Sequence, residues 1–209
     1  MHLTSAIIWS AALVGIALAE GAGVYHDAET GFTFSESSVS YVLGKFLTFR
    51  IALPDRITAG EPYDVVLQVV APKDVGWVGL AWGGGMLNDP LSVVWANGNS
   101  AVLSSRYTAS RVMPQPYTGA TYQVFLIGTK QNGTHFQLTA KCAGCTTFNG
   151  RTLSSKGTHG LAFAYSASRP SNPASNSSSF TIHDSYNYWY HDFSPAGNAN
   201  FDSLVAKNS

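Results

Sequence analysis

Short bursts of alternating hydrophobic and polar positions recur along the chain, each closed off by Gly, Pro, Asn or Ser. Successive side chains on a strand point to opposite faces, so a two-residue period marks a strand with one buried face. The clearest case is 46–53, where Phe46, Phe49, Ile51 and Leu53 fall mainly on alternate positions. The same signature predicts strands at 32–35, 63–70, 76–82, 92–96, 101–107, 122–128, 135–141, 160–166 and 179–183. Asn97-Gly98 and Asn132-Gly133 stand between such runs as hairpin turn dipeptides. No helical period outlasts two turns before 198–206, which is short and ambiguous. Many short strands with regular turns predict an all-β fold, a two-sheet antiparallel immunoglobulin-like sandwich. The Ser-, Asn- and Pro-rich stretch 166–179 interrupts the pattern and reads as a long exposed loop before a last strand, because too few residues follow it for a second domain.

Composition narrows the function classes. Only 11% of residues are charged, against roughly 25% in an average soluble protein. Twelve Lys and Arg balance twelve Asp and Glu, which leaves no basic footprint for nucleic acid and no polybasic patch for an anionic membrane. Hydrophobic residues make up 45%, too many for a disordered chain.

An apolar run over 7–18 ends in Ala17-Leu18-Ala19, the small-residue pattern of signal-peptide cleavage. It falls short of the roughly 20 residues that a spanning helix needs, which disfavours a signal anchor. No Lys or Arg precedes the run. The expected division is a signal peptide at 1–19 and one secreted, monomeric domain at 20–209. Sequons at Asn132 and Asn176 agree with that route as glycosylation sites. Cys142 and Cys145 are the only cysteines. In a secreted chain they read as a local disulfide across a Gly-containing turn. A Cys-rich zinc site is excluded, and so is covalent haem attachment, since Thr146 stands where that motif needs His.

Candidate chemistry rests on soft and aromatic residues. Met86 ends Trp82-Gly83-Gly84-Gly85-Met86. Three glycines in a row lose backbone entropy and pack nothing, so they belong where the chain turns sharply or approaches a flat ligand. Met113 lies in an extended, Pro-bounded loop. Either thioether is otherwise ordinary core filler. His183 opens an aromatic stretch with Tyr186, Tyr188, Trp189 and Tyr190. The remaining histidines past the leader, His26, His135, His159 and His191, read as hydrogen-bonded structural residues. His-x-His, His-Glu-x-x-His and Gly-x-Ser-x-Gly are all absent, so zinc hydrolase and esterase centres have no support.

The run from Trp77 to Met86 (WVGLAWGGGM), followed by DPLSVVWANG from Asp89, resembles the cytochrome domain of fungal cellobiose dehydrogenases. So do DAETGFTF from Asp27, KCAGCTTF from Lys141, and FTIH from Phe180 with DFSPA from Asp192. The matches keep their order from Asp27 to about Asn200 and so cover nearly the whole mature chain. The resemblance implies a β-sandwich that holds one non-covalent haem b between a Met and a His, which fall by motif on Met86 and His183. Such a centre has both axial positions filled, favouring outer-sphere electron transfer over oxygen activation.

The chain lacks a Gly-x-Gly-x-x-Gly flavin fingerprint and has no room for a dehydrogenase domain. The resemblance therefore implies a standalone module with a separate donor, an extracellular flavin dehydrogenase or small reductant. The implied acceptor is a secreted copper polysaccharide monooxygenase or a ferric complex. Tyr107 and Tyr186 are candidate neighbours of the haem or its propionates, with Arg106 and Arg111 as candidate propionate partners. Asn187 stands where the family often has Gly, four residues past the ligand His, and His191 is a rival ligand. The alternative reading is a non-catalytic carbohydrate- or ligand-binding sandwich without redox function, with the 186–190 aromatics able to stack on sugar faces. A β-sandwich hydrolase ranks last, because no acid/base pair stands out.

Overall fold

In the computed structural model, which describes residues 22–209, most of the alternating runs become strands. The expected leader at 1–19 lies outside the described residues. β1 (Gly23–His26), β2 (Thr33–Val42), β3 (Lys45–Pro54) and β4 (Val65–Pro72) come first. β5 (Trp77–Ala81), β6 (Leu91–Asn97), β7 (Ser100–Tyr107) and the two-residue β8 (Gln115–Pro116) follow. β9 (Thr121–Val124), β10 (Lys130–Gln131) and β11 (His135–Ala143) lead to a small hairpin of β12 (Thr147–Phe148) and β13 (Arg151–Thr152). The chain closes with β14 (Thr158–Ser166), β15 (Ser185–Asp192), β16 (Gly197–Asn198) and helix α1 (Phe201–Asn208).

These strands form two sheets. One runs β1-β2-β3-β4-β11-β10, with β9 also on β11 and the short parallel β16 on β3; the other runs β15-β14-β5-β6-β7-β8. All the longer pairings are antiparallel, and the fold is the expected two-sheet sandwich. In β3 the inward residues are Leu47, Phe49, Ile51 and Leu53, each fully buried, whereas Phe46 points out and is 52% exposed. Opposite them the second sheet contributes Val78, Leu80, Val94, Leu161 and Phe163 to the same core. Phe49 stacks on Trp189 of β15 at 4.9 Å, tying the sheets together. Burying each such side chain contributes about 1.5–3 kcal/mol.

Both outer faces carry apolar clusters of their own. α1 lays Phe201 and Leu204 over Phe32 and Phe34 of the first sheet. On the second sheet, Trp77, Ala81, Leu91, Val93, Trp95 and Ala162 form a cluster with Met86 and Phe180 packed against it.

Several expected elements move. The run at 122–128 stays in strand only to Val124, since Phe125 turns into the outer apolar cluster with Phe32 and Phe34 while Leu126 is exposed. No strand forms at 179–183. That segment hangs on Phe180, whose ring packs 4.9 Å from Trp77, and the last long strand begins at Ser185. In the β6–β7 hairpin Asn97 pairs with Ser100, so the turn falls on Gly98-Asn99 with Gly98 at φ 59°. The 166–179 loop is held against the second sheet rather than lying free. Trp95 Nε1 donates to Pro173 O at 2.8 Å, and buried Arg106 donates to Ser178 O at 2.6 Å and to Asn176 O at 3.2 Å.

Cys142 and Cys145 form the local disulfide, with Cα atoms 5.9 Å apart. Gly144 between them has φ 88°, and a Cβ there would meet Gly119 O at 2.1 Å, so only glycine fits this turn. A buried hydrogen-bond chain reaches the disulfide from the other sheet. Trp82 Nε1 donates to Ser92 Oγ at 2.8 Å, Ser92 lies 2.6 Å from the Tyr122 hydroxyl, and that hydroxyl sits 3.1 Å from Cys145 Sγ. Among the described residues, no helix is long and apolar enough to cross a membrane.

Candidate functional site: an apolar cleft on the second sheet

The outer face of the second sheet is unusually shallow at its centre. Gly79 and Ala81 of β5 and Ala162 and Ala164 of β14 all point outward, and Ala162 pairs with Ala81 and Ala164 with Gly79 across the two strands. Four small residues side by side leave a flat floor. Larger residues rise around it: Trp77, Leu91, Val93 and Phe180, with Tyr186 and Tyr188 from the edge strand β15. The result is a cleft of about 670 Å³, within the usual range for a bound small molecule or cofactor.

Met86 and His183 both line this cleft. The turn that presents Met86 is organised by Asp89, a carboxylate only 3% exposed. Its Oδ2 accepts the backbone N–H groups of Gly83 at 2.9 Å and Gly85 at 3.0 Å. A Cβ on Gly83 would meet Asp89 Oδ1 at 2.0 Å, which accounts for the first glycine; Gly84 needs its positive φ of 84°. Burial pushes the Asp89 carboxyl above the ordinary carboxylate value, while the two N–H donors pull it back. His183 is fixed from both sides. Phe180 anchors the chain before it, and after it Asp184 N donates to Tyr165 O at 2.8 Å and Asp184 Oδ2 accepts Ala167 N at 2.7 Å. The imidazole meets Tyr186 edge-on at 5.0 Å between ring centres.

The structure thus brings Met86, His183 and Tyr186 together, and it adds Met113 and Arg111 from the loop before β8. Tyr107 stands apart. Alternate residues of β7 place Ser104 and Arg106 on the outer side, so Tyr107 falls on the other, where it stacks on Tyr117 at 5.0 Å and donates to Asn88 Oδ1 at 3.1 Å. Arg106, 2% exposed, has its guanidinium committed to Pro114, Asn176 and Ser178 carbonyls and to Ser104 Oγ. It is unavailable to a bound anion. His191 also lies off the cleft: it is fully buried between the sheets, and its Nδ1 accepts the Trp189 indole N–H at 3.3 Å. Burial lowers its pKa to about 4. Among the described residues no three His, Cys, Asp or Glu side chains cluster as a metal site.

A family model for the cytochrome domain of cellobiose dehydrogenase matches residues 25–203. The chain belongs to that family. It is thereby a cytochrome module of the cellobiose dehydrogenase type, with a role in haem electron transfer. A curated relative, the pyrroloquinoline quinone-dependent pyranose dehydrogenase of Coprinopsis cinerea, is 27% identical over 185 residues. The alignment takes in 86% of this chain but only 25% of that protein, so the cytochrome module spans about a quarter of the relative's length. Solved structures of two cytochrome domains share the fold. The cytochrome b domain of pyranose dehydrogenase from Coprinopsis cinerea superposes with a TM-score of 0.77 at 22% identity, covering 90% of this chain and 96% of that one. The cytochrome domain of Myriococcum thermophilum cellobiose dehydrogenase gives 0.78 at 21%, with the same coverage.

The cleft fits the family's haem in shape and in donors. Its flat small-residue floor suits a planar ring system, its walls are mostly apolar, and a thioether and an imidazole line it. Sequence reasoning missed two parts of this site. One is the role of Asp89, which an acid four residues past a glycine run can signal. The Gly79, Ala81, Ala162 and Ala164 floor depends on the register of two strands, which no single motif carries.

Proposed function

We propose that this chain is a secreted single-electron carrier that holds haem b in the second-sheet cleft, with Met86 and His183 as axial ligands. The observation that carries the reading is that both side chains line one cleft over a small-residue floor. Bound there, the haem supplies a reversible ferric–ferrous couple. The protein's own part is to present two saturating donors from anchored segments and to exclude water with Trp77, Phe180 and the tyrosines. Tyr186, edge-on to His183, helps hold the imidazole in orientation.

The donor is an extracellular flavin dehydrogenase or a small reductant; the relative's name adds a quinone-dependent sugar dehydrogenase to the same class. The acceptor is a copper polysaccharide monooxygenase or a ferric complex. Residues 1–19 act as the secretion signal, and exposed Asn132 and Asn176 carry glycans. Mass spectrometry of the secreted monomer reads the new N-terminus and both glycan sites.

Absorption spectra before and after dithionite test the central claim. The expected result is a red protein with sharp six-coordinate ferrous bands. Met86→Ala disturbs that spectrum and His183→Ala largely abolishes haem retention, while Met113→Ala, also in the cleft, leaves the spectrum intact. Unchanged spectra in both ligand variants overturn the assignment.

One observation favours a second reading. Tyr186, Tyr188 and Tyr190 project from one side of β15 and are 57%, 60% and 78% exposed, as a sugar-stacking surface requires. Colourless protein that sediments with polysaccharide would support that reading over electron transfer.

A further inference from the structure

We propose that Arg111 clasps a carboxylate of the haem, so that the propionate edge of the bound group faces the loop before β8. This rests on the haem reading above and adds to it the orientation of the group.

Arg111 is the only charged side chain among the residues lining the cleft. Lys45, Arg50, Lys130 and Lys141 are each in an ion pair. Arg111 has no hydrogen-bond or ion-pair partner among the described residues and is exposed. A flat apolar ring system with acidic arms calls for this distribution of chemistry, an apolar cleft with one cation at its rim. A guanidinium also matches a carboxylate with two parallel N–H donors, which a lysine cannot do.

The loop that carries Arg111 is pinned at both ends to the site it serves. Asn88, two residues past Met86, donates its N–H to Thr108 O at 2.8 Å, and Arg106 Nη1 donates to Pro114 O at 3.0 Å. Between these points Thr108 Oγ1 donates to Ser110 O at 2.6 Å, and Val112 N donates to the same carbonyl at 2.8 Å. The guanidinium is therefore presented from a fixed backbone. Arg106, the other candidate partner, is spent in holding that backbone.

Apoprotein titrated with haem and with haem dimethyl ester separates the possibilities. Wild type binds haem more tightly than the ester. Arg111→Gln weakens haem binding roughly tenfold, leaves ester binding unchanged and keeps the axial-ligand spectrum, while Arg111→Lys recovers part of the loss. Equal loss with haem and ester, or no loss with either, overturns the proposal. So does unchanged haem binding combined with slower electron transfer to anionic acceptors only, which would assign Arg111 to an acidic partner. Wild type that takes up neither porphyrin overturns the haem reading itself, and the two failures are thereby distinct.

Discussion

Asp89 shows how one buried carboxylate can set a functional turn. Three glycines give the chain before Met86 little intrinsic shape, and the carboxylate supplies it by accepting two of their N–H groups. Asp89→Ala strands both donors in a part-buried turn, and each orphaned group costs about 1–3 kcal/mol. The expected outcome is a lower denaturant midpoint together with a broadened or shifted haem spectrum. Asp89→Asn, which keeps an acceptor oxygen, loses less of both. Arg106 plays the comparable part for the 166–179 loop, where its two donor contacts to Asn176 O and Ser178 O help convert a polar, Pro-rich stretch into a cover. Arg106→Met leaves carbonyls of Pro114 and Ser178 without this donor, so limited proteolysis should cut within 168–179 faster than in wild type while the rest of the domain persists.

The strand β15 faces two ways. Its even positions, Tyr186 and Tyr188, wall the cleft, and its odd positions, Trp189 and His191, enter the core. His191 pairs across the ladder with His159 of β14, and the Nε2 atoms of both are buried without partners. Phe193 packs on both rings, Ser35 is the backbone neighbour from β2, and Asp192 is the nearby acid. Burial is the main cause of the depressed pKa, about 4 for His191 against an ordinary 6.5, and it lowers that of His159 as well. Above pH 6.5 the His191 imidazole is neutral in folded and unfolded chains alike. Between 6.5 and about 4 only the unfolded chain takes the proton, so stability declines as pH falls through that window and levels off below it. The total loss from His191 is on the order of 3 kcal/mol. Urea unfolding from pH 7.5 to 3.5 checks this, and His191→Gln should flatten the curve.

The same strand explains what was legible in the sequence. Where one face is apolar and the other polar, as in β3, the period of two announces the strand and its inner face. In β15 both faces are aromatic, so the stretch reads as a cluster, and the strand expected at 179–183 turns out to be an anchored segment leading into it. The places of Met86 and His183 in the cleft lining were legible because glycine runs and motif order point to them. The exclusion of Tyr107 was not, because it depends on which parity of β7 faces outward, and that follows from its pairing with β6.

Across the whole molecule, the sandwich core lies between the sheets while the cleft lies outside it, on a face that α1 does not cover. Its walls come from the Met86 turn, the Arg111 loop and the segment from Phe180 to Tyr188, stretches separated along the chain that come together around it. On the proposed reading, an occupant behaves like a rivet driven through three plates. Loading then belongs to the maturation of the fold as much as to its chemistry. Protein produced with scarce porphyrin should lose resistance to heat and to proteases at all three stretches together, and should regain it in one step when haem is supplied.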